Sequence, residues 1–140
     1  MKRQLQVMKF GGTSVGDAKC ISRVADIVQA AAKTYSVVVV VSAMAGVTNT
    51  LIEAANRSEA GDRDYALDLL EKLRKQHDAA LTELIKTPAT REKLSARIQE
   101  ILGEAKRLCE GTALLRQLTP RTLDTVSSLG ERLTTPIVAA

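Results

Sequence analysis

The sequence predicts a helix-rich α/β fold in which a βαβ unit opens a parallel sheet and a long helical hairpin follows it. Three observations carry this expectation. A strand-like segment, an amphipathic helix and a β-branched run, Val37 to Val41, succeed one another within the first 41 residues. From residue 62 to 110 apolar side chains recur in steps of three and four. Aromatics are only 2% of the chain (Phe10, Tyr35, Tyr65), so a core must be built from Leu, Ile, Val and Ala, which suits close-packed helices.

Gln4 to Phe10 alternates as a strand should, with Leu5 and Val7 on one face and Met8 and Phe10 on the other. Gly11-Gly12-Thr13-Ser14 breaks it. Asp17 or Ser14 can cap the next helix, whose stripe is Ile21, Val24, Ala25, Val28, Ala31 and Ala32. Val37–Val41 is apolar at every position, which marks an inner parallel strand covered by helices on both faces. Ser42-Ala43-Met44-Ala45-Gly46 turns out of it, and Val47 to Ala55 begin another helix.

The hairpin follows. Ala66, Leu69, Leu70, Leu73, His77, Ala80, Leu81 and Leu84 form one stripe, and Leu94, Ile98, Ile101, Leu102, Ala105 and Leu108 a second. Thr87-Pro88-Ala89-Thr90 separates them as a turn, with Thr90 or nearby polar groups available as cap. Thr119-Pro120 places an N-cap before a Pro at the first helical position, and Leu123, Val126 and Leu129 carry that helix to Gly130. A further apolar segment begins at Glu131 and runs to Ala140 without a terminator. Two parallel strands cannot cover their own faces and edges, so the expectation is the N-terminal part of a larger α/β domain. It divides into 1–60 (the βαβ unit plus a helix), 61–111 (the hairpin) and 112–140 (the last helices).

Composition narrows the function classes. The chain has 140 residues, 45% apolar and 26% charged, as a soluble globular protein does. No apolar run nears the roughly 20 residues of a membrane span, and Met1-Lys2-Arg3-Gln4 does not lead into the apolar core of a signal peptide. Cys20 and Cys109 lack metal or disulfide spacing, so a reducing cytoplasm is the expected location. His77 has no second His or neighbouring Cys and reads as structural. Net charge is +4. Residues 1–40 carry six basic side chains against two acidic ones, an excess equal to the whole net charge. Without a Lys/Arg run or interleaved aromatics, that surplus fits a small anion better than nucleic acid.

Both polar turns, Gly11–Ser14 and Ser42–Thr48, follow the carboxyl ends of the strands, the edge where open α/β sheets bind ligands. Consecutive glycines allow backbone N–H groups to approach an anion, and a following helix adds its positive end. Lys9 adds a full charge beside them. The pattern is neither GxGxxG nor GxxxxGK[ST], so no dinucleotide or P-loop site follows.

The string Lys9-Phe10-Gly11-Gly12-Thr13-Ser14-Val15 resembles the K-F-G-G-T-S signature of the aspartate kinases, members of the amino-acid kinase fold. Val39 through Asn49 is similar to that family's V-V-V-S-A-x-x-G-V-T-N. Leu118-Thr119-Pro120-Arg121 through Gly130-Glu131-Arg132-Leu133 looks like its stretch around a G-E pair. The three stand in the family's order over residues 8–135. The resemblance implies an amino-acid-kinase-like parallel-sheet sandwich with a long helical hairpin insertion, of which this chain is the N-terminal part.

It also implies the chemistry: transfer of the γ-phosphoryl of MgATP to the side-chain carboxylate of L-aspartate, the first step toward lysine, threonine and methionine. By resemblance Lys9 is the catalytic residue and holds the transferring phosphate. Gly11, Gly12 and Ser14 donate to its oxygens, Ser42 and Thr48 position aspartate, and Glu131 takes the ammonium group. The ligands of Mg2+, an Arg and an Asp of the aspartate site and the adenine lobe lie beyond these residues in the family, so the chain alone is expected to hold half a site and to be inactive. A homo-oligomer without nucleic-acid or membrane partners is the implied state. Other readings stand beside this one: a glutamate, acetylglutamate or carbamate kinase, or a non-catalytic assembly module. Residue by residue, Lys9 can be a solvated strand-end lysine, Ser42 and Thr48 a turn and a helix cap, and Glu131 a complement to a helix N-terminus.

Overall fold

The computed structural model describes residues 3–140. Two strands, β1 (Leu5–Phe10) and β2 (Ser36–Val41), flank helix α1 (Ala18–Ala32), and four helices follow: α2 (Val47–Ala60), α3 (Arg63–Leu84), α4 (Pro88–Leu115) and α5 (Pro120–Val138). The strands pair in parallel, in register from Leu5 with Ser36 to Phe10 with Val41. The βαβ unit is as predicted, and Asp17 is the residue that caps α1, its carboxylate accepting from the Cys20 N–H at 2.8 Å.

The sheet is covered on one face only. Val39 and Val41 face a groove shared with Val24 and Val28 of α1 and Val138 of α5, whereas Val38 and Val40 are 46% and 47% exposed and Leu5 and Val7 both 63%. Among the described residues the expected cover of Val37–Val41 is therefore present on one face. The physical reason is that α1 and α5 stack on the same side, and no described element packs on the other.

The core lies among the helices. Helix α2 packs against α3, α4 and α5, and Leu51, Leu73, Leu81, Ile98, Ile101, Leu129 and Leu133 are its fully buried large side chains. Close packing of such aliphatic residues supplies most of the stability, because each buried Leu or Ile is worth about 1.5–3 kcal/mol. His77 and Cys109 sit inside this core, as their places on the apolar stripes require.

Three boundaries differ from the sequence reading. Helix α4 starts at Pro88, with Thr87 rather than Thr90 at the N-cap, because Pro fits the first helical position without an N–H to lose. It also continues past residue 111 to Leu115, since Cys109 and Thr112 extend its buried stripe, and Arg116 ends it in the left-handed region at φ 52. Gly130 does not end a helix: α5 runs through it to Val138. None of the described helices is long and apolar enough to cross a membrane.

Candidate functional site

The two polar turns meet at the carboxyl edge of the sheet. Their strands are adjacent and in register, and the Ser42 N–H continues the ladder by donating to the Phe10 carbonyl at 3.0 Å. The glycine turn folds back on itself, with the N–H groups of Ser14 and Val15 both donating to the Gly11 carbonyl, at 2.9 and 3.2 Å. Gly12 lies against the second turn so closely that a Cβ there would sit 3.2 Å from the Ala43 carbonyl oxygen and 3.9 Å from Ser42 Oγ. A Cβ on Gly16 would approach the Ala45 Cβ at 3.3 Å. Small residues on both turns are thus what bring them together.

Between them lies an open cleft of about 400 Å3 lined by Gly12, Thr13, Ser42, Met44, Gly46 and Thr48, with Ala43, Ala45 and Asn49 completing the wall. Gly46 needs its missing side chain for a different reason: its φ is +78, a left-handed turn that few L residues adopt. It is also the N-cap of α2, and no side chain caps that helix. The first-turn amides of α2 beside Thr48 and Asn49 therefore give the cleft a positive end. The end of α1 differs, because Asp17 already occupies it and is held below the usual carboxylate range by the Cys20 amide. The anion-attracting end expected of the helix after the glycine turn is thus filled by Asp17, and the helix end without a side-chain cap is that of α2.

Each predicted residue can now be located. Gly12, Ser42 and Thr48 line the one cleft. Lys9 stands exposed at the end of β1, and its Nζ lies 3.6 Å from where a Gly11 Cβ would be, so its ammonium leans over the glycine turn. Ser14 opens instead onto a neighbouring depression with Phe10, Thr13, Cys20 and Arg23. Glu131 is half-buried on α5, and its carboxylate has no ion-pair partner among the described residues. It follows Gly130, whose hypothetical Cβ would be 3.2 Å from Thr48 Oγ1. The structure thus gathers the two turns and brings α5 beside them, while Ser14 lines the neighbouring depression rather than the cleft that holds Ser42.

Two residues were not legible as part of this site. Thr134 of α5, fully buried, accepts a hydrogen bond from the Met44 N–H at 3.0 Å. Gln76 of α3 donates to the Ala45 carbonyl at 3.2 Å. The spacing of Gly130 and Thr134, one helical turn apart, was the available signal, but it gains meaning only once α5 is seen to cross the turn.

A parallel βαβ start with an anion-attracting edge and a helical layer on one side defines the class of protein. The chain matches the amino acid kinase family over residues 4–140, and it belongs to that family. Its relatives there are aspartokinases. It is 35% identical over 136 residues to aspartokinase 1, chloroplastic, of Arabidopsis thaliana, covering 96% of this chain and 22% of that protein. With lysine-sensitive aspartokinase 3 of Escherichia coli it shares 36% identity over 118 residues, covering 82% of this chain and 25% of that protein. Among solved structures it is similar to E. coli aspartokinase III in complex with aspartate and ADP, with a TM-score of 0.76, 34% identity and coverage of 97% of this chain and 28% of that one. The same enzyme in complex with lysine and aspartate gives a TM-score of 0.80 at 32% identity. The chain thus spans about a quarter of the length of the relatives it matches.

Proposed function

We propose that the chain supplies the phosphoryl-binding and aspartate-binding turns of an aspartate kinase, which transfers the ATP γ-phosphoryl to the side-chain carboxylate of L-aspartate. The observation that carries this reading is the meeting of Gly12, Ser42 and Thr48 in one cleft with the Lys9 ammonium leaning over Gly11. The solved relative bound to aspartate and ADP supports both ligand classes.

The acceptor carboxylate has an ordinary pKa near 3.9 and is ionised at neutral pH, so no general base is required. What the reaction needs is alignment of two anions and neutralisation of the charge that their approach concentrates. Lys9 neutralises charge on the transferring phosphoryl oxygens, and the N–H groups of the glycine turn, Gly11 and Gly12, donate to them with little reorganisation. Ser14, beside the depression that shares Thr13 with the cleft, donates to the same oxygens. Ser42 and Thr48 hydroxyls hold aspartate, with the uncapped end of α2 favouring its carboxylate. Glu131 pairs with the ammonium group.

Mg2+ would arrive on the nucleotide and neutralise phosphate charge. Among the described residues no group of three His, Cys, Asp or Glu side chains comes together to hold a metal. The two free cysteines suit a reducing compartment, and we propose the cytoplasm.

The test is substrate choice by the full-length gene product. Phosphoryl transfer from ATP should be strong with L-aspartate and weak with L-glutamate, N-acetylglutamate and carbamate. Preference for any of the last three would overturn the assignment.

A further inference from the structure

The Thr134 hydroxyl sits at a junction that nothing in the motifs assigns. It is fully buried, it donates to the Gly130 carbonyl at 3.2 Å, and it accepts from the Met44 N–H at 3.0 Å. The donor half is commonplace in α5, where Thr125 and Thr135 also bond the carbonyls of Arg121 and Glu131. The acceptor half is different in kind, because it joins residues 90 apart in sequence and ties a helix to the middle of the β2–α2 turn. Because the hydroxyl proton points at Gly130, a lone pair is left facing Met44, so the side chain is oriented by both partners.

Met44 stands two residues after Ser42 and four before Thr48, and its carbonyl accepts from the Val47 N–H at 3.1 Å to close the turn. Its own N–H, buried at this point, donates to the hydroxyl of Thr134. The close approach of Gly130 to Ala43 and Thr48 sets the distance at which that bond can form. Gln76 restrains the outer side of the same turn from α3, but at an exposed position.

We infer that Thr134 is a positioning residue for the amino-acid substrate: it fixes the turn that presents Ser42 and Thr48 without itself entering the cleft. This rests on the kinase reading. It predicts an asymmetric defect, since the glycine turn is closed by its own hydrogen bonds to the Gly11 carbonyl and Lys9 stands on β1, and neither is bonded to Thr134.

The test compares wild type, Thr134→Ser and Thr134→Val in the full-length gene product. Val keeps the volume and removes the acceptor, leaving a buried N–H unpaired; Ser keeps both bonds. The expected result is that Thr134→Val raises KM for aspartate about tenfold or more with KM for ATP within about twofold, while Thr134→Ser stays near wild type. Equal movement of both KM values, or a Ser variant as impaired as Val, would overturn the inference. Amide hydrogen exchange at Met44 gives a second readout that needs no turnover: it should accelerate about tenfold or more in the Val variant while the Leu51 and Leu73 amides keep their protection. Unchanged Met44 exchange would overturn the anchoring. A wild-type protein without aspartate-dependent turnover would instead overturn the kinase reading, and Met44 exchange would still decide whether Thr134 holds the turn.

Discussion

Gly130 in α5 lies so close beneath Ala43 that a Cβ on Gly130 would stand 2.8 Å from the Ala43 Cβ, nearer than two carbon atoms can approach. This contact sets the distance between the helix carrying Glu131 and the turn carrying Ser42 and Thr48. It also explains why a glycine persists inside a helix, where it costs about 1 kcal/mol relative to Ala.

Gly130→Ala should therefore destabilise the fold by about 1–2 kcal/mol, because overpacking against a short, unyielding neighbour outweighs the gain in helix propensity. Gly111 of α4 is the control: it is helical and exposed, and a Cβ there meets nothing within 4 Å. Gly111→Ala should stabilise by about 0.5–1 kcal/mol. Urea denaturation of the two variants decides the matter, and a neutral Gly130→Ala would mean that α5 can shift away from the turn.

Lys9→Met should lower kcat about 10²–10³-fold in the full-length gene product, the loss typical of one preorganised donor to developing charge. The motive is the position of Nζ over Gly11. The methylene stem is kept and only the ammonium is removed, so steady-state kinetics with a near-normal kcat would return Lys9 to a solvated strand end.

Glu131→Gln should raise KM for aspartate much more than KM for ATP. The residue is half-buried, and its carboxylate has no ion-pair partner among the described residues, so it is available for a cationic group. Measuring both constants tests this; equal movement, or none, would assign Glu131 to the helix alone.

Much of this was legible in the sequence, and the misses share a cause. The βαβ unit, the hairpin stripes and the Thr119-Pro120 start are local patterns, set by periodicity and by the φ of proline, and they appear as read. Gly130 misled because glycine after an apolar stripe is a common stop signal, while its role depends on Ala43, 87 residues earlier. Val37–Val41 is apolar on both faces, and within these residues helices cover only one of them, because the cover of a strand is decided by neighbours distant in sequence. Within the site, the turns were visible as motifs. Their anchors, Thr134 and Gln76, were not, since a hydroxyl and an amide on helices carry no pattern until the helices are packed.

His77 gives the fold a pH dependence near neutrality. It is fully buried, its Nδ1 lies 2.7 Å from the Leu73 carbonyl as donor, and its Nε2 has no partner among the described residues. Burial pushes its pKa below the ordinary 6.5, against a smaller opposing pull from the Leu73 carbonyl and Asp78. The unfolded chain then binds the proton first, so stability is full above about pH 6.5 and is lost as pH falls toward the lower folded value. His77→Leu should flatten the stability profile as pH falls below about 6.5, whereas Asp17, Glu71 and Glu104, all shifted downward from the ordinary carboxylate values, contribute only at more acid pH. Denaturation midpoints at several pH values check it, and an unchanged slope in the variant would place the dependence elsewhere.

As a 140-residue polypeptide the chain should be helical, self-associating and without measurable aspartate kinase turnover. Helices α2 to α5 bury their stripes against one another, so the helical layer has its own core. The sheet does not: Leu5, Val7, Val38 and Val40 form a contiguous apolar face open to water, and both strands have an unpaired edge. Such a surface is removed from water by a second copy when nothing else covers it. Replacing Val7 and Val38 by Lys should restore a monomer with the same helix content, since neither side chain touches the helical core. Turnover should be missing because the chain, spanning about a quarter of its relatives' length, carries only part of the site. Circular dichroism, light scattering and a phosphoryl-transfer assay on one preparation read all three properties. Turnover by a monomer of this chain would show that the two turns and α5 suffice, and association that survives Val7→Lys/Val38→Lys would move the contact away from the sheet.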